Sequence, residues 1–147
     1  MLVRSKQKDM DILEIPFHRF LNIKKHSGDE YIFEATERPE YLNHLGTIHA
    51  CVQLTIAEAS SGEFLLQEFN DMRSELIPVV RKTEAKYHRP ANGTLFSKAA
   101  FESTNKSDIL KELSSKKRTS IKVKVEITDE QKNKTLTVVF DWFITKI

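Results

Sequence analysis

The sequence predicts an α+β protein in which a curved antiparallel β-sheet wraps around one long central helix. Three observations lead there. The stretch Tyr41–Phe69 carries the longest helix-like pattern, with Ile48, Cys51, Val52, Ile56, Ala59, Leu66 and Phe69 recurring mostly at three- and four-residue steps. Its polar residues are scattered around the remaining face, as in a helix that is largely covered. The chain after it reads mainly as strand, so the sheet must curl around the helix to hide it.

In chain order, residues 9–22 give a short amphipathic helix or two half-helices, with Met10, Ile12, Leu13, Phe17, Phe20 and Leu21 apolar and Pro16 as the break. His26–Asp29 is a turn, and residues 30–36 alternate as a first strand with Tyr31, Phe33 and Ala35 on one face. Arg38-Pro39 ends that strand. Residues 43–47 form a loop before the long helix. Residues 76–89 form a strand, with Val79, Thr83, Ala85 and Tyr87 on one face and Val80, Lys82, Glu84, Lys86 and His88 on a solvated one. Pro90–Gly93 turns into a strand over 94–103, and Ser107 caps a helical turn or two. In residues 119–128 Ile121, Val123, Val125 and Ile127 alternate with polar residues, and 135–147 close the sheet after a hairpin turn. Alternation places Phe140 and Trp142 on one face.

Composition narrows the class. A chain of 147 residues fits one domain, 1–147, with an N-terminal helical segment over 1–28 and a core over 30–147. Net charge is +2, so a polyanionic partner is not implied and nucleic acid is not expected. No apolar run approaches membrane-spanning length, and the N-terminus lacks the apolar stretch of a secretory signal. Cys51 is the sole cysteine, which excludes an internal disulfide and a cysteine-based metal site. A cytoplasmic setting follows as the expectation. No metal is expected.

The long segment also holds the densest set of reactive groups: Asn43, His44, His49, Cys51, Glu58 and Glu63. Glu58 lies between Ala57 and Ala59. Most helix glutamates face solvent, but small and apolar neighbours suit partial burial, which would make a carboxylate a better base near neutral pH. Asn43 and Thr47 precede the helix, where either could cap it, or where free N–H groups could stabilise an oxyanion. Cys51 has no base fixed to it by spacing. Arg89 and the run Lys116-Lys117-Arg118 are solvated charges or contacts for phosphate.

Asn43, Gly46, Thr47 and His49, followed nine positions on by Glu58, spell N-x-x-G-T-x-H and an acid. This pattern, with the order of elements, resembles the PaaI-like and related acyl-CoA thioesterases of the hotdog fold, including the thioesterase-like domain that ends YiiD-type proteins. Lys86–Leu95 (KYHRPANGTL) resembles their strand–proline–turn–strand. The resemblance covers roughly residues 30–147. It implies a thioester hydrolase with a catalytic set of Glu58, Asn43 and His49. Glu58 would be general base or nucleophile, the Asn43 side chain and the Ala50 N–H would bind the thioester carbonyl, and His49 would hold the loop. Gly46, Thr47, Ala50, Thr83 and Arg89 are the implied substrate contacts. The substrate would be an acyl-CoA or acyl-carrier thioester, with no cofactor besides. A homodimer, or a dimer of dimers giving a homotetramer, is also implied, because hotdog sheets pair their edges across a two-fold axis.

Two departures are visible. His49-Ala50-Cys51 stands where many relatives have His-Gly-Gly, and Val80, ten residues before Pro90, stands where many have serine or threonine. Thr83, the nearest hydroxyl, falls on the face opposite Val80 by strict alternation. Two alternatives stay open. One is a non-catalytic acyl-binding hotdog protein. The other is a hydroxyacyl-thioester dehydratase or hydratase, for which the spacing of His44 and Glu58 is suggestive.

Overall fold

The computed structural model describes residues 10–147; the first part of the expected N-terminal segment lies outside them. A 3-10 turn (Ile12–Glu14), capped by the Asp11 carboxylate accepting from Leu13 N–H, is followed by α1 (Pro16–Phe20), so Pro16 restarts the helix as expected. Next come β1 (Lys24–Lys25), a two-residue strand absent from the sequence reading, and β2 (Phe33–Thr36). Then follow α2 (Ala50–Glu68), β3 (Leu76–Tyr87), β4 (Thr94–Phe101), α3 (Lys106–Lys116), β5 (Arg118–Thr128) and β6 (Lys134–Lys146). Asn105, rather than Ser107, caps α3 by accepting from Asp108 N–H.

The six strands form one antiparallel sheet in the order β1-β2-β4-β5-β6-β3. The sheet curves around α2, the hotdog arrangement that the residue pattern resembles. Ile121, Val123, Val125 and Ile127 of β5 and Leu136, Val138 and Phe140 of β6 are buried, as alternation requires. Against them α2 buries Val52, Ile56, Ala59 and Leu65. Each fully buried aliphatic side chain contributes about 1.5–3 kcal/mol, which sets the register of sheet on helix. Polar anchors sharpen it. Trp142 Nε1–H donates to Ser61 Oγ at 3.1 Å, and the Ser60 and Ser97 hydroxyls hydrogen-bond at 2.6 Å. Cys51, expected on the apolar stripe, is exposed with Ala50 in the first turn of α2.

Strand β3 departs from strict alternation. Its pairing with β6 shifts between Val80 and Lys82, so that Val80 stands opposite Trp142 and Thr83 opposite Phe140. Arg81 is the extra residue of a β-bulge. Val80 and Thr83 therefore share the concave face, which corrects the expectation that they oppose each other. β3 is also an edge of the sheet, and residues 81–90 are exposed.

Candidate active site

The loop before α2 is closed by its own side chains. Asn43 Oδ1 accepts from Leu45 N–H at 2.9 Å and Thr47 N–H at 3.1 Å, while Asn43 Nδ2 donates to Thr47 Oγ1 at 2.9 Å. Gly46 has φ +72°, the left-handed conformation that glycine adopts without strain. The loop is tied down by Ile48 N–H to the Ala91 carbonyl and His49 N–H to the Tyr41 carbonyl. Neither Asn43 nor Thr47 caps α2. His49 does, its Nδ1 accepting from Cys51 N–H at 3.0 Å, which leaves Nε2 to carry the proton of the neutral ring. Ala50 N–H, the first of the helix, has no partner among the described residues. Tyr87 O–H donates to the Ala50 carbonyl at 3.0 Å and fixes the end of β3 beside this turn.

Glu58 lies two helical turns further on, about 12 Å along the axis from Ala50. Its side chain is 38% exposed, and its Oε2 is 3.7 Å from His18 Nε2, an ion-pair distance longer than a hydrogen bond. His18 is 5% exposed, and its Nδ1 sits 2.7 Å from the Ile12 carbonyl oxygen. The Glu58 carboxylate raises the pKa of His18 above its ordinary 6.5; burial opposes the rise and the Ile12 carbonyl adds to it. Ser61, which accepts from Trp142, donates to the Glu58 backbone carbonyl at 2.7 Å and so steadies that turn of α2.

Two cavities meet at this pair. One, of about 350 Å3, has mainly apolar walls that include Ile12, Ile15, Leu66, Leu76 and Trp142. The other, of about 250 Å3, is lined by Phe17, Leu54, Thr55, Thr83 and Phe140. Glu58 and His18 line both. An apolar chamber with a few convergent polar groups at one end suits an acyl ligand whose reacting group stops at the polar end.

The family profile described as "Domain of unknown function (DUF4442)" matches residues 19–144. The chain belongs to the DUF4442 family. No curated protein matches it in sequence. Among solved structures, a Pseudomonas aeruginosa protein of unknown function, described as a probable thioesterase, is similar with TM-score 0.79 at 19% identity, over 92% of this chain and 91% of that one. A Bacillus halodurans protein solved with CoA has TM-score 0.67 at 16% identity, over 87% of this chain and 74% of that one. The E. coli PaaI protein from the phenylacetic acid degradation operon has TM-score 0.60 at 16% identity, over 88% and 82%. At these identities the likeness is one of fold.

Within this DUF4442 chain the expected site residues fall into two groups. Asn43, Gly46, Thr47, His49 and Ala50 lie together at the start of α2, and Arg89 follows Tyr87 at the same end. Glu58 and Thr83 meet in the smaller cavity. His44 is exposed on the loop and separated from Glu58 by the same two turns of helix. Lys116, Lys117 and Arg118 lie at the opposite end of the sheet, where β5 begins beside the end of β6, and so share no site with Arg89. His18 had no part in the expected site. Pro16-Phe17-His18 marks a helix start, but nothing local signals that α1 folds back onto the middle of α2.

Proposed function

We propose that this protein hydrolyses acyl-coenzyme A thioesters. The observation that carries the reading is the position of Glu58 at the junction of the two cavities. The apolar chamber suits the acyl group, and the smaller cavity suits the thioester with Thr83 beside it. Glu58 acts as general base, taking a proton from water as its oxygen attacks the carbonyl carbon, or as nucleophile through an acyl-glutamyl intermediate. The C–S bond then breaks and the coenzyme A thiolate leaves; on the nucleophilic route water next cleaves the acyl-glutamyl anhydride, releasing the carboxylic acid and freeing Glu58. The similar Bacillus halodurans structure holds CoA, which supports this carrier over an acyl-carrier protein. Arg89, near the start of α2, is suited to contact its phosphates.

The oxyanion needs donors that a carboxylate two turns down the same helix does not share. Ala50 N–H, at a helix N-terminus and without a partner among the described residues, is such a donor, and the second amide hydrogen of Asn43, in the loop before that helix, is another. In the reading proposed here, Glu58 of one protomer serves a carbonyl held by Asn43 and Ala50 of the partner subunit, brought near by an antiparallel pairing of the α2 helices. The open edge of β3 supports such a dimer. Thr83, brought to the concave face by the bulge, supplies the hydroxyl that Val80 lacks and favours hydrolysis over a purely binding role.

The test is turnover of a panel of short, long and aromatic acyl-CoAs beside Glu58→Ala. Hydrolysis lost in the variant at unchanged Tm supports the reading. Hydration of enoyl thioesters, or tight binding without turnover, replaces it with the dehydratase or the binding protein.

A further inference from the structure

We infer that His18 is a positioning residue for Glu58: its imidazole, fastened to the backbone of the Ile12–Glu14 turn, holds the carboxylate at the junction of the two cavities. The kinetic part of this inference rests on the hydrolase reading above; the structural part does not.

The geometry fixes how the ring can act. Nδ1 lies 2.7 Å from the Ile12 carbonyl oxygen, and a carbonyl only accepts, so Nδ1 carries a hydrogen. Nε2 is then the atom that faces Glu58 Oε2, at 3.7 Å. In the neutral ring it would turn a lone pair toward a carboxylate; in the imidazolium it turns an N–H. The second arrangement is the attractive one. A modest closing of the 3.7 Å gap makes it a charge-assisted hydrogen bond.

The ring is itself well held. Ile12 and Leu21, on either side of it in sequence, are buried, and Tyr41 O–H donates to the Leu21 carbonyl, locking the end of α1 to the turn before α2. Glu58, by contrast, is a long side chain with 38% exposure and no hydrogen bond to its carboxylate among the described residues. Unheld, it would spread over several rotamers. His18 reduces that freedom from a wall both cavities share, so the carboxylate is presented to either side.

Among the described residues no other charged group competes for the ring. On its own segment, Glu14 is exposed and paired with Arg19 at 3.8 Å. From α2 the titratable neighbour is Glu58, with Thr55 beside it; β3 contributes Thr83 and β6 contributes Phe140. Lys82 and Glu84 of β3 pair with each other at 2.9 Å, both exposed. Arg73 also lines the larger cavity, but its guanidinium donates to the Met10 carbonyl.

Two measurements on the full chain test this. The first is NMR titration of the His18 ring in wild type and Glu58→Gln, which needs no turnover. The expected result is titration above the ordinary 6.5 in wild type and a downward move in the variant. A ring that titrates at or below 6.5, or does not respond to Glu58→Gln, overturns the inference. The second is the kinetics of His18→Ala and His18→Gln on an acyl-CoA that wild type turns over. Displacing the carboxylate should lower kcat by up to about 100-fold in His18→Ala with KM little changed. Gln, whose amide N–H can reach the place of Nε2, should restore most of the rate and remove the alkaline limb of the pH profile. Unchanged kcat in His18→Ala, or an unchanged limb in a folded His18→Gln, overturns it. A wild type that turns over nothing while the NMR response is present removes the hydrolase reading and supports the pair; a wild type that turns over with no NMR response does the reverse.

Discussion

Phe140 is the side chain through which the agreement of sheet and helix can be measured. It is 1% exposed, lies opposite Thr83 and Val123 in the sheet, and forms part of the wall of the smaller cavity. Phe140→Ala removes a ring from a site flanked by strands on both sides, where backbone collapse into the gap is restricted. Aromatic residues bury roughly 150–250 Å2; losing most of that at about 25 cal/mol per Å2 gives about 3 kcal/mol. The cavity left behind brings the expected loss to about 3–5 kcal/mol. The assay is urea unfolding at equilibrium, comparing midpoint and slope with wild type. The midpoint should fall with little change in slope. Phe143→Ala is the control, because Phe143 stands on the opposite face under the Arg81 guanidinium, 4.8 Å from the ring centre. Its loss should be less than half as large. A cost below about 1 kcal/mol for Phe140→Ala, or a larger one for Phe143→Ala, refutes the strand phase and with it the placement of β6 on α2.

Four further outcomes are expected. The protein should scatter light as a dimer or larger at micromolar concentration, since β3 leaves a long edge open; a monomer contradicts this. Glu58→Ala and Asn43→Ala, each inactive alone, should regain part of the wild-type rate when mixed with subunit exchange; verified exchange without recovery rejects the cross-subunit site. Gly62→Ala should raise stability by up to about 1 kcal/mol, because the new Cβ would meet Ile12 at 3.6 Å and Trp142 at 3.9 Å, ordinary contacts, and should disfavour the bulkiest acyl groups by narrowing the larger cavity. The raised pKa of His18 adds stability that is fully present below its unfolded value of 6.5 and is lost as pH rises through the higher folded value. The Tm difference between wild type and His18→Gln should therefore shrink across that window, and a difference that grows with pH refutes the linkage.

Where the fold was legible, local periodicity and tertiary burial agree. Ile121, Val123 and Val125 alternate because one face of β5 meets α2, and they are fully buried. The scattered polar residues of α2 signalled a covered helix, and Ser60, Ser61 and Gln53 are indeed buried there. Legibility ends where a contact joins distant segments. Cys51 keeps the helical phase of the stripe yet lies in a first turn that the sheet leaves exposed. Asn105 and Ser107 are both good caps, and the choice depends on where the first turn of α3 starts, which packing of Ile109 and Leu113 decides. His18 meets Glu58 only because the N-terminal segment lies across α2, a placement set by the burial of Ile12 and Leu21 and not by any pattern around His18 itself.

The bulge at Arg81 is a different case, because the sequence carries a signal for it that strict alternation conceals. Leu76, Pro78 and Val80 share one phase, whereas Thr83, Ala85 and Tyr87 share the other. A strand of unbroken alternation must choose between them. Keeping the first phase would turn Lys82, Glu84 and Lys86 toward the helix; keeping the second would turn Arg81 inward and expose Leu76, which is buried. Either choice turns charged side chains to the helix side of the sheet, the first placing Lys82, Glu84 and Lys86 there and the second Arg81. One extra residue at Arg81 resolves the conflict, and the register confirms it: Pro78 opposes Ile144, Val80 opposes Trp142, Thr83 opposes Phe140 and Ala85 opposes Val138. Two sets of apolar residues one step out of phase within a single strand are thus evidence of a bulge between them. Here the bulge also has a chemical consequence. It turns Thr83 to the wall of the cavity that Glu58 lines, so the same insertion that turns Lys82 and Glu84 away from the helix side delivers a hydrogen-bonding group to the candidate site.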